Sequence, residues 1–243
     1  MGGKIDCYLD IASLYSYLAF LDLRKNSELL AAHNVEVEFH PVLLGAINAG
    51  SGNRPPWTLP AKAAYGFFDA NRSIARHPGL TVQFPSDLMS RAKTVLPLRC
   101  LHHIKTTLPT TTHFLPTLQH LLHLFWAPPN ADLTTVDGVA QALRSVPAPG
   151  GAGTARRLLF SDDEVQAILA AAGSDAMKSA LKAATQAALD KGAFGAPWLW
   201  VVDGAGKEEP FFGSDRFHFV YEFLGLPYQA VRLLPPGGGE AKL

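Results

Sequence analysis

The sequence predicts an α/β fold in which a β-α-β unit and a β-β-α unit flank a large all-helical insert, and three observations carry that prediction. Lys4-Ile-Asp-Cys-Tyr-Leu-Asp10 alternates in character and stops abruptly before a helical run. The stretch from Leu59 to about Lys191 is helical in pattern for most of its length. Strand character then returns in Trp198-Leu-Trp-Val-Val202 and Glu209 to Phe212, across the turn formers Asp203-Gly-Ala-Gly206.

The first strand places Ile5, Cys7 and Leu9 on one face. Ser13 is positioned to cap the helix that follows, whose apolar residues Leu14, Tyr17, Leu18, Leu21 and Leu23 recur at helical spacing in a run reaching Leu30. Val35-Glu-Val-Glu-Phe39 supplies the second strand, parallel to the first through a right-handed crossover. Pro, Gly and Thr clusters at 106–112, 127–130 and 147–153 punctuate the insert. A final helix is expected from Asp215 to Leu224, with Ser214 or Asp215 as cap. The division is therefore 1–58 with 191–228 as one discontinuous domain, 59–190 as the helical insert and 229–243 as a flexible tail.

Composition narrows the function classes. Lys and Arg number 21 against 21 Asp and Glu, with no basic run suited to a phosphate backbone, so nucleic acid is not an expected partner. No apolar stretch approaches the ~18 residues that span a bilayer, and Met1 to Asp10 lacks the pattern of a secretory signal, so an intracellular protein is expected. Cys7 and Cys100 are the two cysteines, too few for a disulfide framework or a cysteine zinc cluster, and read as buried inert thiols. His102, His103, His113, His120 and His123 gather in the insert without H-E-x-x-H or a completing carboxylate; they are expected at its surface, and no metal site is expected.

The chemistry centres on Ser13-Leu14-Tyr15-Ser16, placed after the first strand where thiol redox proteins carry C-x-x-C. With serines at both positions dithiol exchange is lost, but the helix start still favours an anion. A small-molecule thiol fits: its free pKa of ~8.5 leaves little thiolate at neutral pH, and Ser13 has an O–H to donate. Simple capping explains a serine here equally well, so other segments decide.

Phe194-Gly195-Ala196-Pro197 precedes the third strand. A cis Ala196-Pro197 bond would turn the Ala196 N–H and C=O toward Ser13, offering strand-like pairing to a peptide. Ser214, Asp215 and Arg216 place a hydroxyl, a carboxylate and a guanidinium at one helix start, suited to a zwitterion. Ser51-Gly52-Asn53-Arg54-Pro55-Pro56-Trp57 is a stiff loop in which Asn53 can hydrogen-bond a peptide backbone, and Lys62 just beyond it can face a carboxylate.

Together these four segments resemble the kappa class of glutathione transferases, a thioredoxin-like family related to bacterial disulfide oxidoreductases and 2-hydroxychromene-2-carboxylate isomerases. Ser13 falls at that family's catalytic serine, in a motif usually written S-P-Y-S, with Leu14 replacing the proline. Asn53 and Lys62 match its G-N-x-P-P loop and following lysine, Ala196-Pro197 its cis-proline corner, and Ser214-Asp215-Arg216 its S-D-R stretch. Asp69 falls where an acid of the family reaches the glutathione of the neighbouring subunit, which implies a homodimer.

The resemblance implies glutathione as substrate and a thiolate that attacks an electrophile or reduces a peroxide. An isomerase using the same thiolate reversibly, and a non-catalytic binding module on the same scaffold, are the alternatives. The terminal Ala241-Lys242-Leu243 is similar to the S-K-L peroxisomal address, so peroxisomes are the expected location, with mitochondrion and cytosol as alternatives.

Overall fold

The computed structural model of the protein describes residues 2–150 and 157–229. The last residues of the expected tail, with Ala241-Lys242-Leu243, lie outside them. Four strands, β1 (Gly3–Leu9), β2 (Val35–Pro41), β3 (Trp198–Asp203) and β4 (Glu208–Phe212), form one sheet in the order β2-β1-β3-β4. β1 pairs parallel with β2 and antiparallel with β3, so Cys7 stands between Phe39 and Leu199; β4 closes the far edge as a hairpin. The hairpin turn is held by Asp203, whose Oδ1 accepts the N–H groups of Ala205 and Lys207 at 2.8 and 2.9 Å.

The alternation read in β1 is realised: Ile5, Cys7 and Leu9 are fully buried under α1 (Leu14–Lys25). α1 buries Leu14, Tyr17, Leu18, Ala19, Phe20 and Leu23, more than one stripe, because the sheet and the insert cover it from opposite sides. The expected run to Leu30 is broken. Asn26 adopts φ −96° and ψ 7°, and its side-chain amide donates to the Asp22 carbonyl at 2.9 Å, ending α1 and opening α2 (Ser27–Ala32). α3 (Leu44–Ser51), which no sequence pattern announced, crosses the opposite face of the sheet and packs with α10.

The insert is built from α4 (Pro60–Ala75), α5 (Leu88–Arg91), α6 (Val95–Thr107), α7 (Leu115–Trp126), α8 (Val136–Arg144), α9 (Asp162–Ala172) and α10 (Asp175–Asp190). Short turns at Pro56–Thr58 and Thr110–Phe114 precede α4 and α7. One isolated bridge, Pro147 to Leu158, departs from the all-helical expectation where the chain closes between α8 and α9. No helix of the described residues is long and apolar enough to cross a membrane.

Two further expectations are corrected. The last helix, α11 (Phe217–Phe223), starts two residues late, with Arg216 at its N-cap position and no side-chain cap. Neither Ser214 nor Asp215 caps it: Ser214 is buried, and the Asp215 carboxylate folds back over Gly213, where a Cβ would lie 2.9 Å from Asp215 Oδ1. Gly213 also has φ +98°, and this left-handed backbone is what favours glycine there. Among the histidines, His102 is buried rather than at the surface. Its Nε2 bonds the Pro41 carbonyl at 2.8 Å, and burial lowers its pKa, keeping it neutral.

Candidate functional site

The end of β1 and the start of α1 form the floor of the site. Ser13 caps α1 as expected, in extended backbone geometry, with Oγ accepting the Ser16 N–H at 3.1 Å. The same Oγ donates to the Ala196 carbonyl at 2.8 Å, across 183 residues of sequence. Ala196-Pro197 is cis, and Pro197 stands at the entrance of β3, where its missing N–H leaves no ladder bond unmade.

The structure thus brings Ser13, Ala196 and Pro197 into one group, with Ser13 and Ala196 both 7% exposed. The S-D-R stretch attaches to it through Gly213, whose N–H reaches the Pro197 carbonyl at 3.2 Å. Asp215 and Arg216 are half-exposed, with Oδ1 and Nε 3.6 Å apart. Asn53 joins indirectly: its Nδ2 donates to the Phe194 carbonyl at 2.6 Å, two residues before Ala196. Asp69 joins through Tyr15, whose O–H donates to Asp69 Oδ2 at 2.6 Å. Burial and the Asp69 carboxylate push the Tyr15 phenol well above its ordinary pKa, and Asp215 adds to the effect, so the two acids share one neighbourhood. Lys62, exposed on the first turn of α4, joins none of these contacts.

Sequence reasoning missed the group that fixes the floor. Asp10, 1% exposed, accepts from the Ala12 N–H at 3.0 Å, the Leu44 N–H at 2.7 Å and the Thr94 hydroxyl at 2.7 Å. Its backbone carbonyl accepts the Ser13 N–H at 3.1 Å. Burial pushes its pKa up to about 6 against these hydrogen bonds, which favour the carboxylate. One visible signal existed, an acid at the abrupt end of an alternating strand; Thr94, 84 residues away, gave none.

The buried thiols are placed as expected. Cys7 and Cys100 are both fully covered, burial raising the Cys7 thiol far above its ordinary pKa and the Cys100 thiol to about 12, so neither forms a thiolate. Asp6, Glu38 and His40 offer ligand atoms within 4.8 Å of one another on the sheet. Lys4 and Lys105 already occupy that group, at 2.8 and 2.7 Å from Glu38. Burial alone would raise the Glu38 carboxyl; its hydrogen bonds from Lys105 and Lys4 outweigh this and hold it at about 2. Two ammonium groups make the cluster an ion-pair knot joining β1, β2 and α6, unsuited to a further cation.

A family model described as the DSBA-like thioredoxin domain matches residues 4–112. In keeping with that match, the fold is thioredoxin-like. Relatives extend the likeness over nearly the whole chain. "Glutathione S-transferase kappa 1" of Homo sapiens is 26% identical over 224 residues, covering 91% of this chain and 90% of that protein. The protein of the same name from Caenorhabditis elegans is 28% identical over 228 residues, covering 92% of each. A solved 2-hydroxychromene-2-carboxylate isomerase superposes with a TM-score of 0.69 at 17% identity, over 91% of this chain and 94% of its own. The thioredoxin-like fold and the kappa resemblance read from the four segments both stand.

Proposed function

We propose that the protein is a glutathione transferase of the kappa type, in which Ser13 holds the glutathione sulfur as a thiolate for attack on an electrophile or reduction of a peroxide. The observation that carries this reading is the Ser13 hydroxyl, buried at a helix N-terminus and 2.8 Å from the carbonyl that precedes Pro197. A sulfur lying there meets an O–H donor and the positive end of α1, both of which favour its anion. Ser214, Asp215 and Arg216 are assigned to the γ-glutamyl end and Asn53 and Lys62 to the peptide backbone and a carboxylate. Relatives named for the same transferase support the assignment.

Titration with glutathione near neutral pH, followed by thiolate ultraviolet absorbance, tests it. The bound thiol is expected to ionise about 2 units below its free pKa, and Ser13→Ala to abolish most of that shift. Binding without a thiolate signal would remove Ser13 from the mechanism. Acceptor assays then separate the chemistries: release of an isomerised product free of sulfur would assign the reversible isomerase reaction instead.

The reading includes a homodimer. The first three turns of α4 expose Tyr65, Phe67 and Phe68 at 58–62%, beside Trp57 and Leu59, and a helix apolar on most sides calls for a covering surface. Sedimentation at micromolar concentration is expected to give a dimer that Phe68→Glu weakens. A monomeric wild-type protein would remove this part of the proposal.

A further inference from the structure

A serine hydroxyl has one proton and donates to one strong acceptor at a time. Here that proton goes to the Ala196 carbonyl, a different atom from the sulfur it is proposed to stabilise. Delivering it to a sulfur requires the O–H to turn about the Cβ–Oγ bond. The cap survives the turn, because Oγ stays in place and still accepts the Ser16 N–H. The carbonyl does not fare as well. Ala196 is 7% exposed, and a buried backbone oxygen that loses its donor is costly unless another replaces it.

A peptide thiol brings such a replacement. A cysteinyl residue running alongside Ala196 in the manner of an added strand presents its own amide N–H to that oxygen while its side chain lies toward Ser13. We infer that thiol ionisation at this site is coupled to a hand-over of the Ala196 carbonyl, from the Ser13 O–H to the amide N–H of the thiol-bearing residue. The hand-over rests on the glutathione reading and deepens it: the Ala196 carbonyl is a specificity determinant that activates cysteinyl peptides and discriminates against thiols lacking that N–H.

The step balances without an oxidant or reductant. The thiol S–H breaks heterolytically and its proton leaves to water. The Ser13 O–H to Ala196 bond is exchanged for Ser13 O–H to sulfur, and the peptide N–H to Ala196 bond forms. A simple alkyl thiol can make the sulfur bond only by leaving the carbonyl without a donor, so Ser13 keeps its present partner and the thiol stays protonated.

The test compares glutathione with its ester isostere, in which an oxygen replaces the N–H of the γ-glutamyl-cysteinyl link and every charge is retained. The thiol pKa of each is read from the pH dependence of thiolate absorbance at saturating protein, relative to its own free value. The ester is expected to bind with a pKa shift smaller by at least about one unit, a tenfold lower thiolate ratio. Equal shifts would overturn the hand-over while leaving Ser13 as thiolate donor. Failure of the ester to bind would overturn it too, because the N–H would then act in affinity and not in ionisation. Absence of a Ser13-dependent shift for glutathione itself would instead defeat the transferase reading.

Discussion

Replacing Asp10 by alanine should destabilise the protein by about 3–5 kcal/mol, because the Ala12 and Leu44 N–H groups and the Thr94 hydroxyl all lose their acceptor inside the fold. For a chain of this size that loss corresponds to a fall in Tm of roughly 10 °C. The three donors come from the Ser13 loop, from α3 and from the start of α6, so the carboxylate ties these three segments together. The pH dependence has a definite sign. Burial raises the Asp10 pKa to about 6 in the folded chain, above its unfolded value of about 3.9, so between these values the folded state binds a proton that the unfolded state does not. The stabilisation linked to this group is fully present below about pH 4 and is lost as pH rises through about 6. Asp10→Asn carries no titrating group, so the stability of the wild type relative to this variant is expected to decline by about 2 kcal/mol between pH 4 and pH 7 in urea unfolding. A flat difference across that range would show that the carboxylate is not desolvated as its burial implies.

Asp10 also marks the boundary of what the sequence could disclose. Ile5, Cys7 and Leu9 announced β1 because a half-covered strand must alternate, and Ser13 announced the start of α1 because its oxygen satisfies a free helix N–H. Both signals are local. What lay between the segments was not: the Ser13 to Ala196 bond, the Tyr15 to Asp69 bond and the Asp10 to Thr94 bond join positions 183, 54 and 84 residues apart. Ala196 was legible only through the proline that follows it. Asn26 looked like one more helical residue until its side chain bonded back to Asp22. Asp215 looked like a cap, and Gly213 instead gave its carboxylate room to fold back. His102 shares a tract with more exposed histidines and is buried because α6 packs it onto the end of β2.

The double replacement Ser13→Cys, Ser16→Cys should turn the protein into a dithiol oxidant, an activity the wild-type chain lacks the sulfurs to perform at this position. Ser13 already sits at a helix N-terminus with its Oγ receiving the Ser16 N–H, an environment that lowers the pKa of a cysteine thiol there into a range of about 3.5–7.5. Ser16 is fully buried, so a cysteine in its place is shielded from solution thiols and suited to resolving a mixed disulfide formed by its neighbour. Cys7 and Cys100 do not interfere, both being buried with raised thiol pKa values. In glutathione redox buffers the variant is expected to form an internal disulfide, read by mass as the loss of two hydrogens, with a reduction potential between roughly −270 and −120 mV. Ser13→Cys alone should stop at a mixed disulfide with glutathione, since no second thiol lies in reach. A double variant that also accumulates only the mixed disulfide would mean that the first turn of α1 holds the two positions too rigidly for a bridge. The site would then differ from a C-x-x-C dithiol site in helix geometry as well as in two atoms.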